Sequence, residues 1–205
     1  MSENRRVKAI IWDFGGVLMR TADLGPRDEL ANRLGLTRAE INYHIFQSPQ
    51  GLQTQLGEIQ PDQLWDFFQN KMNLSEDSMS EIQEAFWGGD RLDTDLVDSI
   101  RSLKEDYTVA LLSNAWSDLR HHMISTWKIA DAFDPMIISA EIGMVKPDEA
   151  IFHYTIQQLS IIPSEGIFID DFKENIDAAH AIGLQVIHFK DRNQAWDELT
   201  AMLSI

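Results

Sequence analysis

Three short apolar segments, each followed at once by a polar residue, constrain the possible fold more than any other feature of this chain. The segments cover residues 7–12, 107–112 and 166–169. Such near-continuous apolar runs are typical of parallel strands that are buried on both faces of a sheet. Because ligands of open α/β sheets bind beyond the carboxyl ends of the strands, we predict a site where the following side chains meet. These side chains are Asp13, Ser113 and Asp170.

The order of the remaining patterns predicts the fold class. From residue 93 onward, amphipathic helical segments alternate with apolar segments at residues 107–113, 136–139, 166–170 and 184–189. Alternating units of this kind form a parallel sheet that has helices on both faces. We therefore predict an α/β protein with a doubly wound, Rossmann-like parallel sheet.

The segment between the first strand and the rest of the sheet has only helical patterns. Thr37 and Glu40 have the spacing of a capping box, and Pro61 is typical of the first turn of a helix. We therefore predict an inserted all-helical cap domain over residues 19–90. The core domain is then made of residues 1–18 and 91–205.

The charge balance and the absence of cysteine exclude several classes of function. The 205 residues include 33 acidic and 17 basic side chains, for a formal net charge of −16. Nucleic acid and anionic membrane surfaces repel such a chain, so we expect neither as a partner. Disulfides, thiolate zinc sites and cysteine nucleophiles are excluded because the chain has no cysteine. The polar start lacks a signal-peptide pattern, which favours the cytoplasm, and no apolar segment reaches the length of a membrane span.

Asp13 is the first candidate for a chemical role, because Gly15 and Gly16 follow it closely. Glycine lets the backbone turn sharply and approach a ligand. The Asp13 carboxylate would then face the crevice as a nucleophile or a metal ligand. An aspartate at a strand end can instead cap the next turn, and the residues alone leave both interpretations open.

Polar residues after the second strand, and one lysine further along, are candidates for binding an anion. Ser113 and Asn114 offer a hydroxyl and backbone N–H groups near a helix start, where phosphate binds, although both residue types are also common helix caps. Trp116 follows this pair closely and can line a pocket. Lys146 is held extended by Pro147, which we place in the first turn of the next helix. The lysine charge can neutralise a phosphate or a nucleophilic carboxylate.

Asp170 and Asp171 give the strongest indication of a metal site. Two adjacent carboxylates at a buried strand end repel each other, so a cation is needed nearby. Oxygen ligands with no histidine beside them suit Mg²⁺. Asn175 lies at the start of the next helix, where it can orient a ligand or cap the helix.

Together, these segments resemble the motifs of the haloacid dehalogenase-like (HAD) hydrolase superfamily, in the order that the family uses. The matching residues are Asp13-Phe14-Gly15-Gly16-Val17, Ser113-Asn114, Lys146-Pro147 and Asp170-Asp171 with Asn175. The helical insert resembles the cap of subfamily I. The resemblance implies a Mg²⁺-dependent phosphatase that acts on a small phosphorylated metabolite, such as a sugar phosphate.

The resemblance also implies a role for each residue. Asp13 would attack phosphorus and form an aspartyl-phosphate, which water then hydrolyses. Mg²⁺ would be bound by the Asp13 carboxylate, the backbone carbonyl of Gly15 and the acidic pair, without an indication of which aspartate of the pair is the direct ligand. The phosphoryl group would be held or steadied by Ser113, Asn114, Lys146 and Gly16. The two supporting residues would be Asn175 and Trp116.

Gly15 departs from the pattern of most phosphatases in this family, which have an aspartate general acid/base two residues after the nucleophile. Proton transfer typically contributes about 10²–10⁴-fold, so the first alternative is a catalytically weak or non-catalytic binding or regulatory protein. The resemblance to bacterial sugar-phosphate phosphatases whose first motif reads Asp-x-Gly-x-Val favours activity. A haloacid dehalogenase is disfavoured, because metal-independent chemistry leaves the acidic pair unexplained. The substrate and the oligomeric state cannot be read, although residues 44–57 include polar candidates for selecting the substrate.

Overall fold

The computed structural model describes residues 7–75 and 78–203. Its strands are β1 (Ala9–Trp12), β2 (Met19–Thr21), β3 (Asp90–Leu92), β4 (Thr108–Ser113), β5 (Met136–Ile138), β6 (Gly166–Asp170) and β7 (Gln185–His188). Five of them form a parallel sheet in the order β5-β4-β1-β6-β7. This order places β1 at the centre, between β4, which ends at Ser113, and β6, which ends at Asp170.

The α-helices connect these strands in chain order. They are α1 (Gly25–Arg33), α2 (Arg38–Asn42), α3 (Pro49–Gln55), α4 (Pro61–Met72), α5 (Met79–Trp87), α6 (Thr94–Leu103), α7 (Leu119–His121), α8 (Ser139–Ile142), α9 (Glu149–Leu159), α10 (Lys173–Ala181) and α11 (Arg192–Leu203). Two π-helical turns, Tyr43–Gln47 and His122–Thr126, continue α2 and α7. Within the described residues, no helix is both long and apolar enough to cross a membrane.

Helices cover both faces of the sheet, because alternate residues of each strand point to opposite sides. On β1, Ile10 and Trp12 belong to a buried cluster with residues of α6 and α11. Ile11 belongs to a second cluster with residues of α9 and α10. All three side chains are fully buried. The predicted α/β class with a doubly wound parallel sheet is therefore confirmed.

Helices α1 to α5 lie between β2 and β3 and have a buried cluster of their own. Its side chains include Leu30, Ile41, Ile45, Leu64 and Phe86. The capping box predicted at Thr37 and Glu40 is present, and α4 begins at Pro61 as predicted. We call residues 19–90 the cap, and their division from the core as a separate domain stays a prediction.

Two local expectations were wrong. The cap was expected to be all-helical, but β2 and β3 pair antiparallel at its base, because strands of three residues give too short a pattern to detect. Pro147 precedes α9 instead of occupying its first turn, because the helix begins at Glu149.

Candidate active site

Three aspartates converge at the carboxyl edge of the sheet. Asp13 follows β1 directly, Asp170 ends β6 and Asp171 follows it. Since β1 and β6 are neighbours in register, the three side chains meet, and each contributes an oxygen within 4.8 Å of the others. We refer to Asp13, Asp170 and Asp171 as the carboxylate cluster.

Lys146 supplies the positive charge of the cluster. Its Nζ lies 2.8 Å from Asp13 Oδ1 and 2.6 Å from Asp170 Oδ2, and it donates to the carbonyl of Leu112 at 3.1 Å. The Lys146 side chain is only 1% exposed. A buried ammonium with two carboxylate partners is held by charge and by position, as expected for a residue that neutralises anions in a closed site.

The two adjacent aspartates have different surroundings. Asp170 accepts hydrogen bonds from Lys146 at 2.6 Å, from Asn175 Nδ2 at 3.0 Å to each carboxylate oxygen, and from the Phe172 N–H at 2.7 Å. Asp171 Oδ1 is buried and has no hydrogen-bond partner within the part of the chain that the structure describes. Burial of a carboxylate oxygen without a hydrogen-bond partner costs free energy. Asp171 is therefore the member of the pair that has an oxygen available to bind a cation.

Burial of like charges changes the acidity of the cluster. Burial, with the charges of Asp170 and Asp171 adding to it, raises the pKa of Asp13 to about 7 despite the opposing charge of Lys146. Burial and the neighbouring Asp170 raise the pKa of Asp171 to about 6. The Lys146 pKa lies above its usual value because Asp13 and Asp170 outweigh the effect of burial. The ionised forms of Asp13 and Asp171 are therefore disfavoured in this cluster, and a further cation beside them would favour ionisation.

The two glycines after Asp13 differ in the space beside them. Gly16 has a φ of +78°, and a Cβ atom there would overlap with the Asp171 carboxylate. Glycine is thus required at this position for both conformation and close approach. The Gly16 N–H donates to the Met19 carbonyl at 2.8 Å. A Cβ on Gly15 would meet no described atom within 4 Å, so this position has room for a larger side chain.

The loop after β4 brings the predicted anion-binding residues to the same edge. Ser113 is buried at the end of β4. Asn114 Nδ2 donates to the Lys146 carbonyl at 2.8 Å, and its Oδ1 accepts from the Lys146 N–H at 2.7 Å. The Asn114 side chain therefore fixes Lys146, a role that the sequence did not indicate. Ser139, which the sequence analysis missed, clamps the same loop by accepting from the Ala115 N–H at 2.9 Å and donating to the Ala115 carbonyl at 3.1 Å.

The family model for haloacid dehalogenase-like hydrolases matches residues 10–189 of the chain. The chain belongs to this family. A D-ribitol-5-phosphate phosphatase from Bacteroides thetaiotaomicron is 30% identical over 97% of this chain and 99% of the relative. A sesquiterpene phosphatase from Aspergillus oryzae is 28% identical over 90% of each chain.

A solved structure has a similar fold. It is a HAD family enzyme from Bacteroides thetaiotaomicron in complex with magnesium and inorganic phosphate. It superimposes with a TM-score of 0.78 and 26% identity, and covers 94% of this chain and 98% of that chain. The predicted family and enzyme class, a HAD-type phosphatase, are confirmed by these relatives.

Residues 44–57, which we expect to select the substrate of this HAD-like hydrolase, lie in two different environments. His44, Ser48 and Gln50 line a cavity of about 240 Å³ within the cap, together with Phe67 and other cap residues. No residue of the carboxylate cluster lines that cavity. Phe46, from the same segment, packs instead against Trp116 of the β4 loop, with ring centroids 6.3 Å apart. Trp116 is buried and belongs to the apolar cluster of the cap, so it joins the loop after Ser113 to the cap.

Proposed function

We propose that this HAD-like hydrolase is a Mg²⁺-dependent phosphatase that uses Asp13 as its nucleophile. The observation that carries the proposal is the Asp171 oxygen beside Asp13, which has no hydrogen-bond partner among the described residues and lies in a buried cluster whose cationic partner there is Lys146. Phosphoryl transfer needs alignment of the nucleophile and neutralisation of the phosphate charge, and the cluster would provide both.

The cluster fits a magnesium ion by its chemistry and by its unsatisfied oxygen. All its candidate ligands are oxygens, which Mg²⁺ prefers. Asp13 and Asp171 would hold the ion with the backbone carbonyl of Gly15, while Asp170, already bonded to Lys146 and Asn175, would orient the site without being the direct ligand. When bound, the metal would lower the charge of the phosphate and align it with the nucleophile.

Asp13 would attack the phosphorus atom of the substrate. The bond from an Asp13 oxygen to phosphorus forms as the bond from phosphorus to the leaving oxygen breaks. Water then attacks the aspartyl-phosphate, releases inorganic phosphate and restores the Asp13 carboxylate. Lys146 would neutralise charge on the transferring group, and Ser113 with the backbone after it would bind the phosphoryl oxygens. A direct contact of Gly16 with phosphate also stays a prediction.

Gly15 leaves the leaving group without a protein acid at the usual position. We infer that the leaving oxygen takes its proton from water, or leaves as a weakly basic anion, and that turnover depends on the leaving group. Because Gly15 supplies no acid, a catalytically weak or non-catalytic binding protein is the second candidate function.

The substrate is proposed to be a small phosphate monoester. The relatives act on D-ribitol 5-phosphate and on a sesquiterpene phosphate, according to their names, and these share only the phosphate. A sugar or polyol phosphate is therefore one candidate class and an apolar phosphate is another. The cytoplasmic location and the absence of nucleic-acid and membrane partners also stay predictions.

The test is phosphate release from a panel of sugar, polyol, nucleotide, acyl and alkyl phosphates, with Mg²⁺ and with EDTA. We expect turnover only with Mg²⁺, and its loss in Asp13→Asn. Asp177→Asn is the matched control, because Asp177 is an exposed aspartate in a helical ion pair. Binding of Mg²⁺ and phosphate without turnover would favour the non-catalytic alternative, and metal-independent halide release would favour the dehalogenase.

A further inference from the structure

Three aromatic side chains form a continuous surface where the cap meets the loop after β4. Phe46, Trp87 and Trp116 are in mutual contact, with ring centroids 5.8 Å apart for Phe46 and Trp87, 5.6 Å for Trp87 and Trp116, and 6.3 Å for Phe46 and Trp116. We call these three residues the aromatic wall. Trp65 and Phe86 support it from inside the cap, and both are buried.

The wall is tied to the carboxyl edge of the sheet by one short stretch of chain. Trp116 follows Ser113 by three residues, which limits their Cα separation to about 10 Å. Trp87 ends α5 and packs against Trp116 with ring centroids 5.6 Å apart. The loop after Ser113 therefore places Trp116 near the edge that carries the proposed phosphate site, and Trp87 follows through its contact with Trp116.

The outer edge of the wall is open, unlike the interior of the cap. Trp87 is 38% exposed and Phe46 is half-buried, whereas the rings behind them are not exposed. Trp87 is continuous with Phe46 and Trp116, so it belongs to a contiguous apolar surface, and such a surface can mark a ligand-binding site where an isolated exposed ring does not. The Trp116 loop is also fixed by the two Ser139 hydrogen bonds, so the wall is preorganised to receive a ligand.

We propose that the aromatic wall binds the leaving group of the substrate, and that Trp87 determines specificity for phosphate monoesters whose leaving group has an apolar face. The proposal rests on the phosphatase function given above and names its substrate class. An apolar group packed on an aromatic surface loses contact with water and gains affinity. Hydroxyl groups at the same place would lose hydrogen bonds to water that aromatic rings replace poorly.

The experiment compares pentyl phosphate with ribitol 5-phosphate, which have five carbons each and differ in their hydroxyl groups. Phosphate release with Mg²⁺ is measured for wild type, Trp87→Ala, Trp87→Phe and Ile162→Ala. Ile162 is the matched control because it is a 42% exposed apolar side chain in the loop before β6, outside the cap and the wall. We expect Trp87→Ala to lower kcat/KM for pentyl phosphate roughly tenfold, mainly through KM, and to affect ribitol 5-phosphate less. Trp87→Phe should restore most of the loss, and Ile162→Ala should change the kcat/KM of neither substrate.

Calorimetric binding of pentylphosphonate, which cannot be hydrolysed at its P–C bond, separates this inference from the proposed function. If wild type releases no phosphate but binds pentylphosphonate more tightly than Trp87→Ala does, the phosphatase proposal fails and the wall is supported. If phosphate is released but Trp87→Ala behaves like Ile162→Ala, the function stands and the wall proposal is overturned. A larger loss on ribitol 5-phosphate, or no difference in phosphonate binding, also overturns it.

Discussion

Replacement of Lys146 by methionine tests the charge balance of the carboxylate cluster most directly. Methionine fills a similar volume but removes the ammonium that lies 2.8 Å from Asp13 and 2.6 Å from Asp170. Removal of one partner of a buried ion pair costs about 3–5 kcal/mol, because the remaining charge is left buried and uncompensated. Proton uptake by Asp13, whose pKa is already about 7, limits the cost. We therefore expect a loss of about 3 kcal/mol in the free energy of unfolding without metal.

Urea unfolding in EDTA, followed by circular dichroism, measures this loss. Lys173→Met is the matched control, because Lys173 forms an exposed ion pair with Asp177 one helical turn away, and such pairs contribute under about 0.5 kcal/mol. Mg²⁺ should recover part of the stability of Lys146→Met, since a divalent cation replaces the missing charge. If the two lysine variants unfold at the same urea concentration, the cluster does not depend on Lys146 and the argument is wrong.

Three further predictions concern the carboxylate cluster and the glycines beside it. Gly16→Ala should lose about 1–2 kcal/mol from its left-handed conformation and also weaken Mg²⁺ binding, because the new Cβ overlaps with Asp171. Gly35→Ala, with a φ of +70° and open space, should share only the stability loss, and equal Mg²⁺ affinity in both variants would contradict this. Because the folded protein holds a proton on Asp13 up to about pH 7 and the unfolded chain does not, the metal-free protein should lose stability from about pH 4 to 7. The rise in Tm caused by Mg²⁺ should therefore grow from pH 5 to pH 8, and a constant rise would refute it. Gly15→Asp should fold normally, since its Cβ meets open space, and should raise turnover of alkyl phosphates more than of aryl phosphates. An unchanged ratio of the two rates would mean that leaving-group protonation does not limit turnover.

The sequence predicted the parallel sheet and the convergence of the three strand ends because both follow from local patterns. Buried parallel strands need continuous apolar runs, so the runs before Asp13, Ser113 and Asp170 mark both the strands and their ends. The neighbouring β2 and β3 escaped detection because three residues carry no periodic pattern.

The separate roles of the site residues could not be predicted, because they depend on contacts between segments that are distant in the sequence. Asn114 looked like a phosphate-binding or capping residue, yet its side chain is bonded to the backbone of Lys146. Asp170 and Asp171 are adjacent residues of the same type, so the sequence does not distinguish their roles. They differ because Lys146 and Asn175 donate hydrogen bonds to Asp170, whereas Asp171 Oδ1 has no partner among the described residues.

The strand order of the sheet has a consequence for folding. Asp13 and Asp170 belong to neighbouring strands of the sheet but lie far apart along the chain. A chain synthesised only as far as β5 therefore has a central strand with an empty place beside it, and Asp13 lacks its acidic partners. The carboxylate cluster can assemble only when β6 has docked against β1, so any cation bound by the complete cluster would report that this docking has taken place.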